Sequence, residues 1–156
     1  MDRHKSLFSI SHDHFHGQLL VQLIDEEFPQ YAESAVKLKN RIKNVIEFFD
    51  RELVNHFYIE EEVLQPAVRG ISEEIDKIFD EIIKEHSEIG KTVKLLKNKT
   101  GDPLKTLKRF AGQLGAHIQK EERVLFIKIR DALDTEDLRQ LAEKLNQKGY
   151  EHIYRY

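Results

Sequence analysis

The chain has 156 residues, no cysteine, and 25 basic against 28 acidic residues, which gives a formal net charge of −3. The absence of cysteine excludes disulfides, thiolate zinc sites, iron–sulfur ligation and cysteine nucleophiles, so any metal must be held by nitrogen and oxygen donors. Charges of both signs are interspersed, and no segment reaches the ~20 apolar residues of a membrane span. We therefore expect a cytoplasmic protein without nucleic-acid or membrane partners.

Long amphipathic helices are predicted, because charged residues make up 34% of the chain and only 7 glycines and 3 prolines interrupt it. A first helix is expected from Ser9 or Ser11 to about Glu27. A second helix should extend from about Glu33 to Leu64, before a proline and a glycine end it.

The later helices are located by their capping residues. Ser72 precedes a third helix that should extend to about Lys99. Asp102 and the proline after it begin a fourth helix that reaches about Leu133. A short fifth helix is expected over residues 136–148.

Four long helices with short links predict an all-α protein with an up-down-up-down four-helix bundle and a short C-terminal fifth helix. The bundle should occupy about residues 8–133, and the C-terminal helix and tail residues 135–156. We expect one domain that comprises residues 1–156.

One nine-residue pattern, HxxxEExVL, occurs twice, beginning at His56 and at His117. Residues i and i+4 share a face of a helix, so each copy places an imidazole beside a carboxylate, Glu60 in the first and Glu121 in the second. Chance gives about 1.4 HxxxE matches in such a chain, but it does not give the shared second glutamate and Val-Leu step. The repeat predicts a metal-ligand pair that is made twice.

Histidines are also expected to face inward from the two remaining helices. The large apolar residues of the first helix define a stripe that contains His12 and His16 and leaves His14 facing away. His86 lies among the apolar residues of the third helix. Burying such groups unpaired would cost roughly 2–7 kcal/mol each, which a metal would offset. The predicted stripe is Phe8, His12, Phe15, His16, Leu19, Leu20, Leu23 and Ile24.

Imidazole and carboxylate donors in a bundle core suit iron, manganese or zinc, and carboxylates from two helices favour a two-metal cluster. Four further glutamates are expected to be solvated or to orient imidazole N–H groups. These are Glu61, Glu62, Glu85 and Glu122.

The order of these residues, with His on the first helix, HxxxE on the second, His on the third and HxxxE on the fourth, resembles the hemerythrin-like, or HHE cation-binding, family. The resemblance covers about residues 8–130. It implies a non-heme di-iron centre with an oxo or hydroxo bridge, bridging carboxylates from Glu60 and Glu121, and zinc or manganese as substitutes. The implied terminal ligands are His12, His16 or both, together with His56, His86 and His117.

Two positions depart from the oxygen-carrying members of this family. Their third helix resembles HxxxH, whereas this chain has Gly90 four residues after His86. They also place the carboxylate of the fourth helix five residues after its histidine, which here would be Glu122, whereas Glu121 at four residues is the usual choice of HHE proteins. The departures favour a protein that engages O2, nitric oxide or peroxide in sensing, binding or iron and oxidative-stress handling, rather than an oxygen carrier. The alternative is a di-iron redox enzyme, peroxidase-like or donating iron in iron–sulfur cluster repair. A metal-free helical interaction module is the third hypothesis.

Overall fold

The computed structural model describes the backbone of residues 6–153 and the side chains of residues 6–147. Within these residues it consists of five helices and no strand, which confirms the predicted all-α fold. None of the described helices is long and apolar enough to cross a membrane. The helices are α1 (Phe8–Tyr31), α2 (Ala35–Val68), α3 (Glu73–Lys97), α4 (Pro103–Ala132) and α5 (Thr135–Ile153).

The first four helices form the bundle. α1 packs against α2 and α4, α3 packs against the same two helices, and α5 lies against α1 and the second half of α2. Short links join consecutive helices, so neighbours are antiparallel. This arrangement turns one face of every bundle helix towards a common interior.

The predicted caps of α3 and α4 are confirmed, whereas the cap predicted for α1 at Ser9 or Ser11 is wrong, because α1 begins at Phe8 after Leu7 and has no side-chain cap. Ser72 Oγ accepts a hydrogen bond from the backbone N–H of Ile75 (3.1 Å), and Asp102 Oδ1 accepts one from the N–H of Leu104 (2.9 Å). Each cap satisfies a backbone donor that the first turn of a helix leaves unpaired.

Three helices extend beyond their predicted ends. α1 continues through Pro29 to Tyr31, α2 continues through Pro66 to Val68, and α5 continues past Gly149. At the end of α1, Arg41 donates to the Tyr31 hydroxyl (3.0 Å) and to Glu27 (2.9 Å). These bonds tie the last turn of α1 to α2, so the proline does not end the helix.

Two apolar clusters fill the bundle, and a layer of buried histidines and glutamates separates them. Along α2, the polar layer lies between Leu53 of one cluster and Leu64 of the other. Along α4, it lies between Leu114 and Leu125. Apolar packing on both sides fixes the four helices around the layer and excludes water from it.

Candidate metal centre

Six buried polar side chains converge in this layer. Every bundle helix contributes one imidazole, and α2 and α4 each add a carboxylate one turn after the imidazole. None of the six is more than 5% exposed. They are His14 of α1, His56 and Glu60 of α2, His86 of α3, and His117 and Glu121 of α4.

Four donor atoms from α1, α2 and α4 form what we call the first half of the centre. Nε2 of His56 lies 2.7 Å from Oε1 of Glu60, and Nε2 of His14 lies 2.9 Å from Oε2 of Glu121. The two imidazole nitrogens approach each other to 3.0 Å. All four donor atoms lie within 4.8 Å of one another, so one metal ion could contact each of them.

The second half uses the other oxygen of each carboxylate. Nε2 of His86 lies 2.9 Å from Oε2 of Glu60, and Nε2 of His117 lies 2.8 Å from Oε1 of Glu121. These donor atoms also lie within 4.8 Å of one another. Each carboxylate therefore offers one oxygen to each half, as a carboxylate does when it bridges two metal ions.

The short contacts do not satisfy these groups by hydrogen bonding. Both carboxylate oxygens of Glu60 and of Glu121, and Nε2 of His86 and of His117, have no hydrogen-bond partner among the described residues. A buried charge without compensation costs several kcal/mol. A cation in each half would compensate these atoms, and imidazole and carboxylate donors suit iron, manganese or zinc. The residues present therefore fit a pair of metal ions.

A second ring of carboxylates surrounds the four imidazoles. Each Nδ1–H donates outward to a carboxylate, which turns Nε2 towards the centre and fixes the plane of the ring. The distances are 2.6 Å for His14 to Glu122, 3.2 Å for His56 to Asp13, 2.7 Å for His86 to Glu61 and 2.8 Å for His117 to Glu85.

Of the two roles predicted for Glu61, Glu85 and Glu122, solvation or orientation of an imidazole N–H, these contacts indicate the second. Glu62 contacts none of the four imidazoles and remains exposed. Asp13 was missed by the sequence analysis. Asp13 directly precedes His14 in the sequence, but this position indicates a contact with the centre only when His14 is known to face inward.

The carboxylates also control the protonation of the imidazoles. Burial lowers the pKa of His14, but the neighbouring carboxylates of Glu121, Glu122 and Glu60 outweigh it and raise the pKa to about 11. The same balance between burial and carboxylates raises the pKa of His86 to about 10 and of His56 and His117 to about 9.

The two central carboxyl groups shift in the opposite direction. Burial raises the pKa of Glu60, but the charge of His56 and contacts with three imidazoles bring it well below its usual value. Burial and the charge of Glu60 raise the pKa of Glu121, and the charge of His117 with contacts to His117 and His14 reverses this. Without metal, these shifts favour protonated imidazoles beside ionised carboxyl groups. Two divalent cations carry the charge of four imidazolium protons, so they can replace these protons without a change in net charge.

A sequence model of the hemerythrin HHE cation-binding domain matches residues 9–129, which include all six residues of the centre. The chain belongs to this family. Neither the curated proteins nor the solved structures include one with significant similarity to the chain. Membership of a cation-binding family and the buried His/Glu cluster together indicate a metal-binding protein.

In this HHE domain, the prediction for α1 is wrong in its helical phase. His14 faces the centre, whereas His12 and His16 are exposed. The ring of His12 stacks on Phe8 with centroids 5.6 Å apart, and Nδ1 of His16 lies 2.7 Å from a carboxylate oxygen of Glu52. Neither side chain belongs to the two donor groups, while the predicted residues on α2, α3 and α4 do.

The physical reason for this error is Gly17. A Cβ at this position would lie 3.0 Å from Cδ1 of Ile118, so the glycine allows α1 to lie close to α4. A glycine is not counted when an apolar stripe is identified from the sequence, so Gly17 gave no signal. The predicted stripe was instead set by Phe8, Phe15 and Leu19, which are 61%, 59% and 44% exposed in the structure. The observed inward positions of α1 are Ile10, His14, Gly17, Leu20, Ile24 and Tyr31.

Both HxxxEE copies change helix type at the same residue. A five-residue π-helical segment begins at Glu60 in α2 and at Glu121 in α4. The N–H of Gln65 donates to the carbonyl of Glu60, five residues earlier, and the N–H of Phe126 donates to the carbonyl of Glu121. π-helical turns inside α-helices are frequent at functional sites. The two His-Glu pairs of this HHE domain thus share a backbone conformation as well as a sequence pattern.

A small cavity adjoins the centre and is lined by His14, His56 and His117. Its volume is about 10 Å³, close to what one water-sized molecule needs. Gly90 does not line this cavity; a Cβ there would lie 3.7 Å from Cζ of Phe49. Most of the remaining walls are apolar, with two acidic residues among them; they are Asp13, Gly17, Phe48, Glu52, Leu53, Phe57, Leu114 and Ile118.

Proposed function

We propose that this HHE domain holds a non-heme di-iron centre that binds O2, nitric oxide or peroxide, and that it serves in sensing, binding or iron and oxidative-stress handling. The observation that carries the proposal is that Glu60 and Glu121 each present one oxygen to each half of the centre. Two imidazoles complete each half. The terminal ligands that we assign are His14, His56, His86 and His117.

The donor count leaves room for an exogenous ligand. Each half has two imidazole nitrogens and two carboxylate oxygens, four protein donors in all. When bound, iron supplies redox chemistry and coordination positions that these four donors leave open. The protein's part is to hold the donors, orient the imidazoles through their outer carboxylates, and exclude bulk water from the layer.

The cavity favours a diatomic gas as the ligand. It has space for one small molecule, and its walls beyond the histidines are apolar except for Asp13 and Glu52. Apolar cavities of proteins stay dry and take up small apolar molecules. O2 and nitric oxide meet these conditions better than peroxide, which needs several hydrogen-bond partners.

Metal analysis with absorption spectroscopy tests the centre. Protein made in iron-replete cells should contain close to two irons per chain, one for each donor group, and its oxo-bridged absorption should bleach on reduction. One zinc per chain, without iron uptake after anaerobic reconstitution, would exclude the proposed cofactor.

Gas titration of the reduced, iron-loaded protein tests the ligand. We expect rapid nitric oxide binding and oxidation by O2 without reversible O2 uptake, because Gly90 replaces a histidine of the carriers. Uptake of O2 that reverses on deoxygenation over minutes would support a carrier instead. Multiple turnovers with peroxide and an electron donor would support a redox enzyme.

A further inference from the structure

A groove that shares no residue with the metal centre lies between the first half of α2 and the turn that joins α3 to α4. Its volume is about 970 Å³, at the upper limit for sites that hold a single small molecule. The lining includes aliphatic side chains from α2 and from the last turn of α3. The proposed function gives this groove no role.

Two parallel rows of side chains form the α2 wall of the groove. Leu38, Ile42 and Ile46 follow one another at four-residue intervals and are partly buried. Lys39 and Lys43 form the adjacent row, also at a four-residue interval, and are exposed. Rows spaced by four residues are the ridges along which one helix packs against another. The apolar row is about 12 Å long, which matches just over two turns of a partner helix.

The charged side chains at the rim of the groove are mostly basic. Lys39, Lys43, Lys97 and Lys99 line the groove with Glu47 as the single acid, in a chain whose net charge is −3. Lys97 is paired with Asp50 at 2.6 Å, and Lys43 lies 3.9 Å from Glu47. Within the described residues, Lys39 and Lys99 form no ion pair. The rim therefore offers at least two cations to an acidic partner.

Lys99 has a backbone conformation that glycine normally adopts. Its φ is +55°, and it follows the last turn of α3, where Thr100 N–H donates to the carbonyl of Leu95 at 3.0 Å. Glycine is favoured at this position of a helix C-terminus because a Cβ is strained there. The lysine makes the turn less favourable and adds a charge to the rim of the groove.

We propose that this groove binds an acidic amphipathic helix of a partner protein. The apolar stripe of that helix packs on Leu38, Ile42 and Ile46, and its flanking Asp and Glu side chains meet Lys39 and Lys99. A second copy of the chain fits less well, because a two-fold contact through this groove would bring the same lysines of both copies together. The concave shape opposes a flat membrane surface, and the apolar floor opposes a nucleic-acid backbone.

Binding of a designed peptide to the metal-loaded protein tests the proposal. The probe is a labelled helical peptide with leucines at i, i+4 and i+7 and glutamates on both flanks, and its charge-inverted form carries lysines instead. Fluorescence anisotropy should detect the acidic peptide but not the basic one. Backbone NMR shifts should change at Leu38, Ile42 and Leu95.

Charge-reversal variants provide the matched control. Lys39→Glu with Lys43→Glu should weaken binding about tenfold or more at low salt, whereas Lys77→Glu with Lys84→Glu, exposed on α3, should leave it unchanged. Lys99→Gly separates binding from folding. It should keep or raise the melting temperature, because it relieves the strained φ, and it should still weaken binding.

Three results would overturn the proposal. The first is equal binding of the acidic and basic peptides. The second is an unchanged affinity in the Lys39→Glu/Lys43→Glu variant. The third is evidence from NMR shifts that something else occupies the groove. This would be dodecanoate that binds in the groove while the acidic peptide does not, or a dimer of the chain that forms through the groove.

Discussion

The two halves of the metal centre share both carboxylates but differ in their surroundings. The ring of Phe57 stacks on His86 in the second half, with centroids 3.8 Å apart and planes 13° from parallel. Both histidines of the first half line the small cavity, whereas only His117 of the second half does so. The first half also depends on α1, which lies close to α4 at Gly17.

These differences predict that metal retention and ligand access depend on different residues. Because each carboxylate serves both halves, damage to either one should affect both metal ions. Because the cavity adjoins the first half and the ring of Phe57 covers His86, a small ligand should reach the ion that we propose for His14 and His56. The five predictions below test this division.

Replacing a shared carboxylate should have the largest effect. Glu60→Gln removes a negative charge and a bridging oxygen from both halves at once, so the protein should lose both ions. Glu62→Gln, two residues later and exposed, should keep them. Metal content after anaerobic reconstitution and gel filtration measures the effect. Retention of one full equivalent by Glu60→Gln would contradict the bridging assignment.

Replacing one histidine should affect a single half. His14→Ala should lose one ion and nitric oxide binding together, whereas His86→Ala should lose one ion and keep part of the nitric oxide binding. His12→Ala and His16→Ala should retain both ions, because these side chains are exposed. Metal content and nitric oxide titration give the result. Loss of metal from His16→Ala would instead support the helical phase predicted from the sequence, in which His12 and His16 face the centre.

The metal-free protein should lose stability as the pH rises. The folded-state pKa values are raised to about 9–11 for His14, His56, His86 and His117. The protonated imidazoles therefore stabilise the folded protein fully at a pH below the pKa of histidine in the unfolded chain, near 6.5. This stabilisation should decline above pH 6.5 and disappear as the pH passes through 9–11. From pH 7 to 9 we expect a loss on the order of 2 kcal/mol or more in the free energy of unfolding.

The metal-loaded protein should behave differently, since metal replaces the imidazole protons. Its stability should change little from pH 7 to 9 and should fall in acid, where protons compete with the metal. Urea unfolding of both forms at several pH values measures this contrast. Parallel pH profiles for the two forms would show that the imidazoles keep their protons when metal binds.

Neutralising an outer carboxylate should weaken one half without emptying it. Glu122→Gln should act on the first half through His14, and Glu61→Gln on the second half through His86. Loss of such a partner typically lowers metal affinity about 10–100-fold. Competition with a chelator measures each ion separately. Equal loss from both halves in each variant would argue against independent outer contacts.

Filling the cavity should have the smallest effect, confined to ligand binding. The Cβ of Gly17→Ala would lie 3.0 Å from Cδ1 of Ile118, which must move slightly, and the added methyl group would narrow the cavity that Gly17 lines. We expect unchanged metal content and nitric oxide association slowed several-fold. Gly112→Ala is the matched control, because its Cβ meets nothing within 4 Å. Equal association rates in the two variants would show that nitric oxide does not reach the centre through this cavity.

Much of the fold and most of the predicted site follow from local patterns in the sequence. The caps at Ser72 and Asp102 act within a few residues, and so does the i, i+4 pairing of His56 with Glu60. His86 could be placed inward because apolar residues surround it on its helix face. Such features depend on helix geometry alone, so they can be recognised before the helices are packed.

The phase of α1, the outer contacts and the π-helical turns were decided by the tertiary structure. Gly17 shows its role only when Ile118 of α4 lies against it, and until then the exposed phenylalanines dominate the pattern. The contact of His14 with Glu122 joins residues 108 positions apart. Side-chain packing between helices determines these features, and a single helix carries no information about which neighbour will cover it.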